Sequence, residues 1–299
     1  MDNADRGKGS VSRYLFWTFT LAYIVQGVVW LLYQKGLSLI ATAVMTALMF
    51  VPLLGVLLAG GNLREFGWRP RIRKNLRHIL FAWLSPAVLT ALGALLYFLI
   101  FPEHFDLSGS YLQETAGASA LEQLKAEGIT YPAYLAISAV STVICAPFLN
   151  MIAALGEEVG WRGFLYPRLK ARYGETRGSL FGGLIWGAWH WPLIWLIGYE
   201  YGSDYPGFPV VGMLLFCIFT VVLGFLCDRL CEKSGSIWLP SLFHGAVNAA
   251  AGIPLLICVT GTASARLLGP APNGLISGLP FIAAAVFFFV KSARKKPEI

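Results

Sequence analysis

The feature that most limits the fold of this chain is a succession of long apolar runs. A membrane-crossing helix needs about 20 such residues, and about eight runs of that order occur. They lie at roughly 14–33, 37–60, 78–101, 131–167, 178–198, 209–230, 236–260 and 274–290. The fourth is longer than one crossing. In hydrocarbon every backbone N–H and C=O must be satisfied within the protein, which leaves helices or closed barrels. Barrel strands are only about 9–11 residues long, so these runs read as helices. Composition agrees: 57% of the 299 residues are hydrophobic and 13% are charged, where a soluble domain carries about 25% charged residues. The expectation is an all-α protein. It is a polytopic membrane helical bundle of about eight transmembrane helices, with residues 1–299 forming a single integral membrane domain.

The net charge of +7 raises the question of nucleic acid. Its distribution points elsewhere. Arg6, Lys8 and Arg13 precede the first run, and Arg64, Arg69, Arg71, Arg73, Lys74 and Arg77 follow the second. Arg168, Lys170, Arg172 and Arg177 follow the fourth, Arg229 and Lys233 the sixth, and Lys291, Arg294, Lys295 and Lys296 the last. The alternate loops carry few cations, and the third is acidic, with Glu103, Asp106, Glu114, Glu122 and Glu127 against Lys125. This alternation matches the positive-inside rule and places both termini in the cytoplasm. The cations then report topology and contact with the lipid bilayer, and no nucleic-acid partner is expected. A multi-pass protein of the cell (plasma) membrane is the expected localisation. The first run lacks a small-residue cleavage site and reads as a membrane helix rather than a signal peptide.

Other features carry less. The five cysteines lie in or at the ends of the runs and read as packing residues. Residues 62–75 are basic with interleaved aromatics, suited to lying along the cytoplasmic interface. The loop from Pro102 to Thr130 has room for a short helix ending at Gly128.

Ionisable groups inside a membrane are costly and are read first as functional. They cluster in three places. In the fourth run, GEEVGWR places Glu158 and Arg162 four apart, on one helix face where they can pair. Glu157 is rotated by about 100° from Glu158 and faces elsewhere. Glu157 lies on the order of 16 Å below the boundary near Arg168. In the fifth run, His190 lies on the order of 18 Å deep. Gly182, Gly183, Gly187 and Ala188 allow a neighbouring helix close, and Pro192 breaks the helix beyond it. In the seventh run, His244 and Asn248 share one face, roughly 12 and 18 Å deep. Each place alone has an ordinary structural explanation. Together they put Glu, His, His and Asn in one band of depth, as a wet cavity between helices requires. A carboxylate with a neighbouring imidazole can take a proton from water. A second imidazole and an amide can donate to the oxyanion that forms. No serine or cysteine pairs with a base in that band, which favours activated water over a covalent nucleophile.

The order EExxxR, then a late His in the next span, then HxxxN resembles the CPBP family, also called ABI. That family comprises type II CAAX prenyl endopeptidases and bacteriocin-processing relatives. The resemblance covers about residues 145–255 as a catalytic core, and the preceding spans carry no motif. The family's middle motif usually has Phe four residues before the His; here that position is Trp186. The resemblance implies that Glu157, assisted by His190, activates water. It implies that His244 and Asn248 form the oxyanion hole, and that Glu158 and Arg162 hold the constellation. One Glu and two His also match zinc's ligand types, but HExxH is absent, and the expectation is a site without metal or other cofactor.

The reading favoured is an intramembrane endopeptidase that hydrolyses a peptide bond of a membrane-associated substrate, either CAAX-type prenylated or leader-bearing. Two competitors remain: a non-catalytic membrane scaffold or immunity protein, and a proton-coupled transporter, since buried Glu and His also build proton relays.

Overall fold

The computed structural model describes residues 9–260 and 266–293, so Arg6, Lys8, Arg294, Lys295 and Lys296 lie outside the described residues. Among the described residues the chain is helical, with one isolated bridge between Phe105 and Cys258 in place of any sheet. By length and composition five helices among the described residues can cross a membrane alone: α1 (Val11–Gln34), α4 (Ile72–Ile100), α10–α11 (Glu175–Ile197), α12 (Val210–Ser234) and a seventh-run helix over Trp238–Leu256 whose main part is α13 (Trp238–Ala251). Among the described residues two further apolar helix pairs are sharply bent, each long and apolar enough to make one crossing if its halves act as one span. α2 (Ser38–Leu48) and α3 (Val51–Leu58) meet at 42°. α7 (Tyr131–Ile144) meets the segment Ala146–Tyr173 at 52°. That second break accounts for the overlong fourth run, and Pro147 sits in the first turn after it, where its missing N–H costs nothing. The eighth run becomes a final helix, Leu279–Ala293. It is shorter than a full crossing.

The inside and outside of these helices are reversed relative to a soluble protein. On α4 the buried positions include Asn75, Ala82, Pro86, Thr90 and Gly93. Its exposed positions include Leu76, Leu80, Leu84, Val88, Leu92 and Leu99. Lipid tails are as apolar as leucine, so membrane helices bury small and polar residues against each other and turn leucine outward.

α13 is the central strut, packed on α8 (Ala146–Glu158), α4 and α12. Two glycines permit close helix–helix approaches around it. A Cβ on Gly245 would lie 2.4 Å from the backbone N of Met151 on α8, and one on Gly183 would lie 2.5 Å from Cα of Val221 on α12. The small residues of the fifth run thus do what their spacing suggested.

The loop from Pro102 to Thr130 differs from expectation. It holds two short helices, Ser110–Ala116 and Ala120–Ala126, split at Gly117. Residues 62–75 are tied to the start of α13, where Trp238 Nε1 donates to the Trp68 carbonyl at 2.8 Å. The cations from Arg64 to Arg77 are exposed.

Candidate active site

Glu157 and Glu158 end α8, and a π-helical turn follows over Val159–Leu165. Such wide turns often mark functional positions. Arg162 still reaches back one turn, donating from Nη1 to Glu158 Oε1 at 2.9 Å, with both side chains fully buried. The same oxygen accepts from His244 Nδ1 at 2.9 Å across the α8–α13 contact that Gly245 permits. Arg162 is further held over the Trp186 ring at 4.3 Å and the Tyr166 ring at 4.8 Å. Glu158 therefore orients a histidine as well as pairing with an arginine.

Glu157 is turned the other way. Its Oε2 accepts two indole N–H groups, from Trp186 at 2.7 Å and Trp161 at 3.1 Å. Oε1 is left to the cavity that Glu157 lines. Trp186, the departure from the family's usual phenylalanine, is a hydrogen-bond donor to the buried carboxylate. The motif spacing marks only its position, not this donor role.

His190 occupies the break between α10 (Glu175–Trp189) and α11 (Trp191–Ile197). Its Nδ1 contacts the Trp186 carbonyl at 3.0 Å. A carbonyl only accepts, so Nδ1 carries the proton and Nε2 is the acceptor. The ring stacks on Tyr199 at 6.2 Å, nearly parallel, and meets Phe216 at 4.7 Å.

The break itself has a support that sequence reading missed. In an unbroken helix Leu193 N–H would donate to the Trp189 carbonyl. Here Gln26 of α1 stands between them: its Nε2 donates to Trp189 O at 2.8 Å, and its Oε1 accepts from Leu193 N at 3.1 Å. One buried amide thus completes both halves of the missing backbone bond.

Glu157, His190, His244 and Asn248 all line one cavity of about 170 Å³, with Asn248 exposed on its wall one turn beyond His244. That is room for several waters. The rest of the wall is largely apolar and aromatic, including Met45, Leu48, Phe216, Phe219 and Val247. It reaches Tyr199, Glu200, Pro272 and Asn273, from the loops at the far end of α11 and α12 from Lys170. Intramembrane polar groups are not confined to the three places read from sequence. Besides Gln26, buried Asp228 on α12 accepts from Lys170 at 2.9 Å and Ser179 at 3.2 Å, fastening α12 to α10 and to the end of the fourth run. The apolar context and the i,i+58 spacing hid that tie.

Residues 133–250 match the family model for type II CAAX prenyl endopeptidase Rce1-like proteins. Over those residues the chain is similar to Rce1-like endopeptidases. That bears out the resemblance to the CPBP family read from the motifs. A CAAX prenyl protease 2 from Methanococcus maripaludis is 32% identical over 102 residues, a stretch that is 34% of this chain and 37% of that relative. The similarity therefore spans little more than a third of either protein. The Rce1-like core contains both glutamates, Arg162, Trp186, both histidines and Asn248, but not Gln26 or Asn273.

A resident metal was tested against the donors present. A catalytic zinc site takes three protein ligands. Among the described residues no three His, Cys, Asp or Glu side chains converge closely enough to hold an ion. The donor set does not fit such a site.

Proposed function

We propose that this protein is an intramembrane endopeptidase that cleaves a membrane-associated peptide by activating water on Glu157. The observation that carries this reading is the opposed fixing of the polar groups around one cavity. Two indoles hold Glu157 Oε2 and leave Oε1 to the cavity; Trp186 O fixes His190 Nδ1 and leaves Nε2; Glu158 fixes His244 Nδ1 and leaves its Nε2. A water between Glu157 and His190 would give its proton to the carboxylate as its oxygen attacks the peptide carbonyl. Asn248 Nδ2 would donate to the resulting oxyanion, joined by His244 Nε2 when that ring carries both protons. Glu157 would then return the proton to the departing amine, and the C–N bond breaks. Glu158 and Arg162 position His244. No metal is needed for this balance of protons. The apolar wall suits a substrate that arrives from the bilayer, of the CAAX-type prenylated or leader-bearing class, in a multi-pass protein with its basic loops in the cytoplasm.

The test compares the amino and carboxyl termini of all membrane proteins, by mass spectrometry, in cells expressing wild type or Glu157→Gln at matched levels. Termini produced only by wild type are expected. Identical sets would refute the endopeptidase and leave a scaffold or immunity protein as the account of the fold.

A further inference from the structure

The cavity holds a second carboxylate that no motif includes. Glu200 lines it together with Glu157 but comes from the loop between α11 and α12. Its backbone has φ 68, a left-handed conformation that side chains other than glycine avoid and that persists where the surroundings enforce it. The surroundings are two loops. Asn273 Nδ2 donates to Glu200 Oε2 at 3.0 Å, and the Asn273 carbonyl accepts from Tyr201 at 3.0 Å. Tyr199, whose ring stacks on His190, also bonds the Glu200 carboxylate.

This arrangement is costly for a simple tie between loops. Burial pushes the Glu200 carboxyl above the usual glutamate range, and the Tyr199 hydroxyl, the charge of Arg266 and the Asn273 amide offset that only in part. Arg266 acts at a distance, since its guanidinium lies 3.9 Å from Glu114 and over Tyr111. Glu200 is half-buried; glutamine would hold Asn273 and Tyr199 there without partly desolvating a charge, and glycine would take the backbone without strain. Moreover, among the described residues no Lys or Arg lines the cavity, and its wall carries two carboxylates. Such a lining favours a positively charged guest over a neutral or acidic one.

We propose that Glu200 is a specificity-determining residue whose carboxylate receives a cationic group of the substrate, a Lys or Arg side chain or a free amino terminus, close to the bond presented to Glu157 and His190. This rests on the endopeptidase reading above. The aromatic wall between the two glutamates would take the intervening apolar residues.

The experiment extends the terminus comparison to four strains: wild type, Glu157→Gln, Glu200→Gln and Glu200→Asp. Sites cut by wild type and spared in Glu157→Gln define the substrates. Those sites are expected to carry Lys, Arg or a free amino terminus within about four residues of the cut, a span of about 14 Å when extended. Glu200→Gln should cut them about tenfold less, the weight of one charge-assisted contact, while Glu200→Asp keeps part of the activity. Peptides made from such a site, with the lysine acetylated or the amino terminus acetylated, then show which cation is read. Purified Glu200→Gln should melt no lower than wild type, which separates recognition from folding. Sites without a nearby cation, or sites cut equally by wild type and Glu200→Gln, overturn this inference and leave the endopeptidase standing. A lack of any wild-type-specific terminus overturns both.

Discussion

Replacing Gln26 by Met keeps an unbranched apolar side chain of similar length in α1 and removes both of its hydrogen bonds. The Trp189 carbonyl and the Leu193 N–H then lose their partners inside the bundle, where both residues are at most 2% exposed. An orphaned buried group costs roughly 1–3 kcal/mol, so two would cost roughly 2–6 kcal/mol. Side-chain hydrogen bonds in membrane proteins measure lower, about 0.6 kcal/mol each on average, because the unfolded state in lipid finds other partners. That sets a floor of about 1 kcal/mol. The broken backbone makes the upper range the better expectation, since neither group can reach another helical neighbour. Equilibrium unfolding in a bilayer or bicelle would read the loss. Activity adds an independent reading: the break carries His190, so kcat should fall more than KM rises. A Gln26→Met protein as stable and as active as wild type would show that the break at His190 needs no support from α1.

Four further outcomes follow from the same geometry. Trp186→Phe keeps a ring over Arg162 but removes the 2.7 Å donor to Glu157. It should lower kcat about tenfold or more with folding retained, measured by cleavage rate beside a thermal melt. Gly245→Ala would press a methyl to 2.4 Å from the Met151 backbone. The cost should be about 1–3 kcal/mol or more, with activity lost as His244 leaves Glu158, and unfolding and rate measurements on one preparation would show both. Arg71 holds φ 48 at an exposed position before α4. Arg71→Gly should therefore raise stability by about 1 kcal/mol in a melt. For Glu200, whose pKa is raised, the cation-binding form is the ionised one. Preference for a lysine-bearing peptide over its alanine counterpart should be full where Glu200 is ionised, above its raised pKa. It should fade as pH drops through a value above that of an ordinary glutamate, while Glu200→Gln gives a flat ratio.

The membrane-crossing helices and the Glu158–Arg162 pair were legible because both depend on local spacing: length in hydrocarbon and the i,i+4 geometry of a helix. The band of Glu157, His190, His244 and Asn248 was legible from depth alone, since rise per residue converts position into height. What escaped depended on contacts between distant segments. Gln26 is one amide in an apolar run, and its partners exist only because Pro192 opens a helix more than 160 residues away. The indole N–H groups of Trp161 and Trp186 have no sequence mark of direction, so their bonds to Glu157 show only in the fold. Asp228 and Lys170 are 58 residues apart, so no local spacing marks them as a pair. Glu200 looked like a loop acid because nothing in sequence shows that its loop folds down onto His190.

The most direct measurement uses purified protein in lipid nanodiscs and a membrane peptide carrying a cleavage site found in the terminus comparison. Wild type and Glu157→Gln are assayed side by side, with and without a strong chelator. The account predicts cleavage by wild type at the same rate in both conditions and a loss of at least about a hundredfold in Glu157→Gln, with both proteins folded. Cleavage by Glu157→Gln at the wild-type rate would contradict the central claim that Glu157 activates the water.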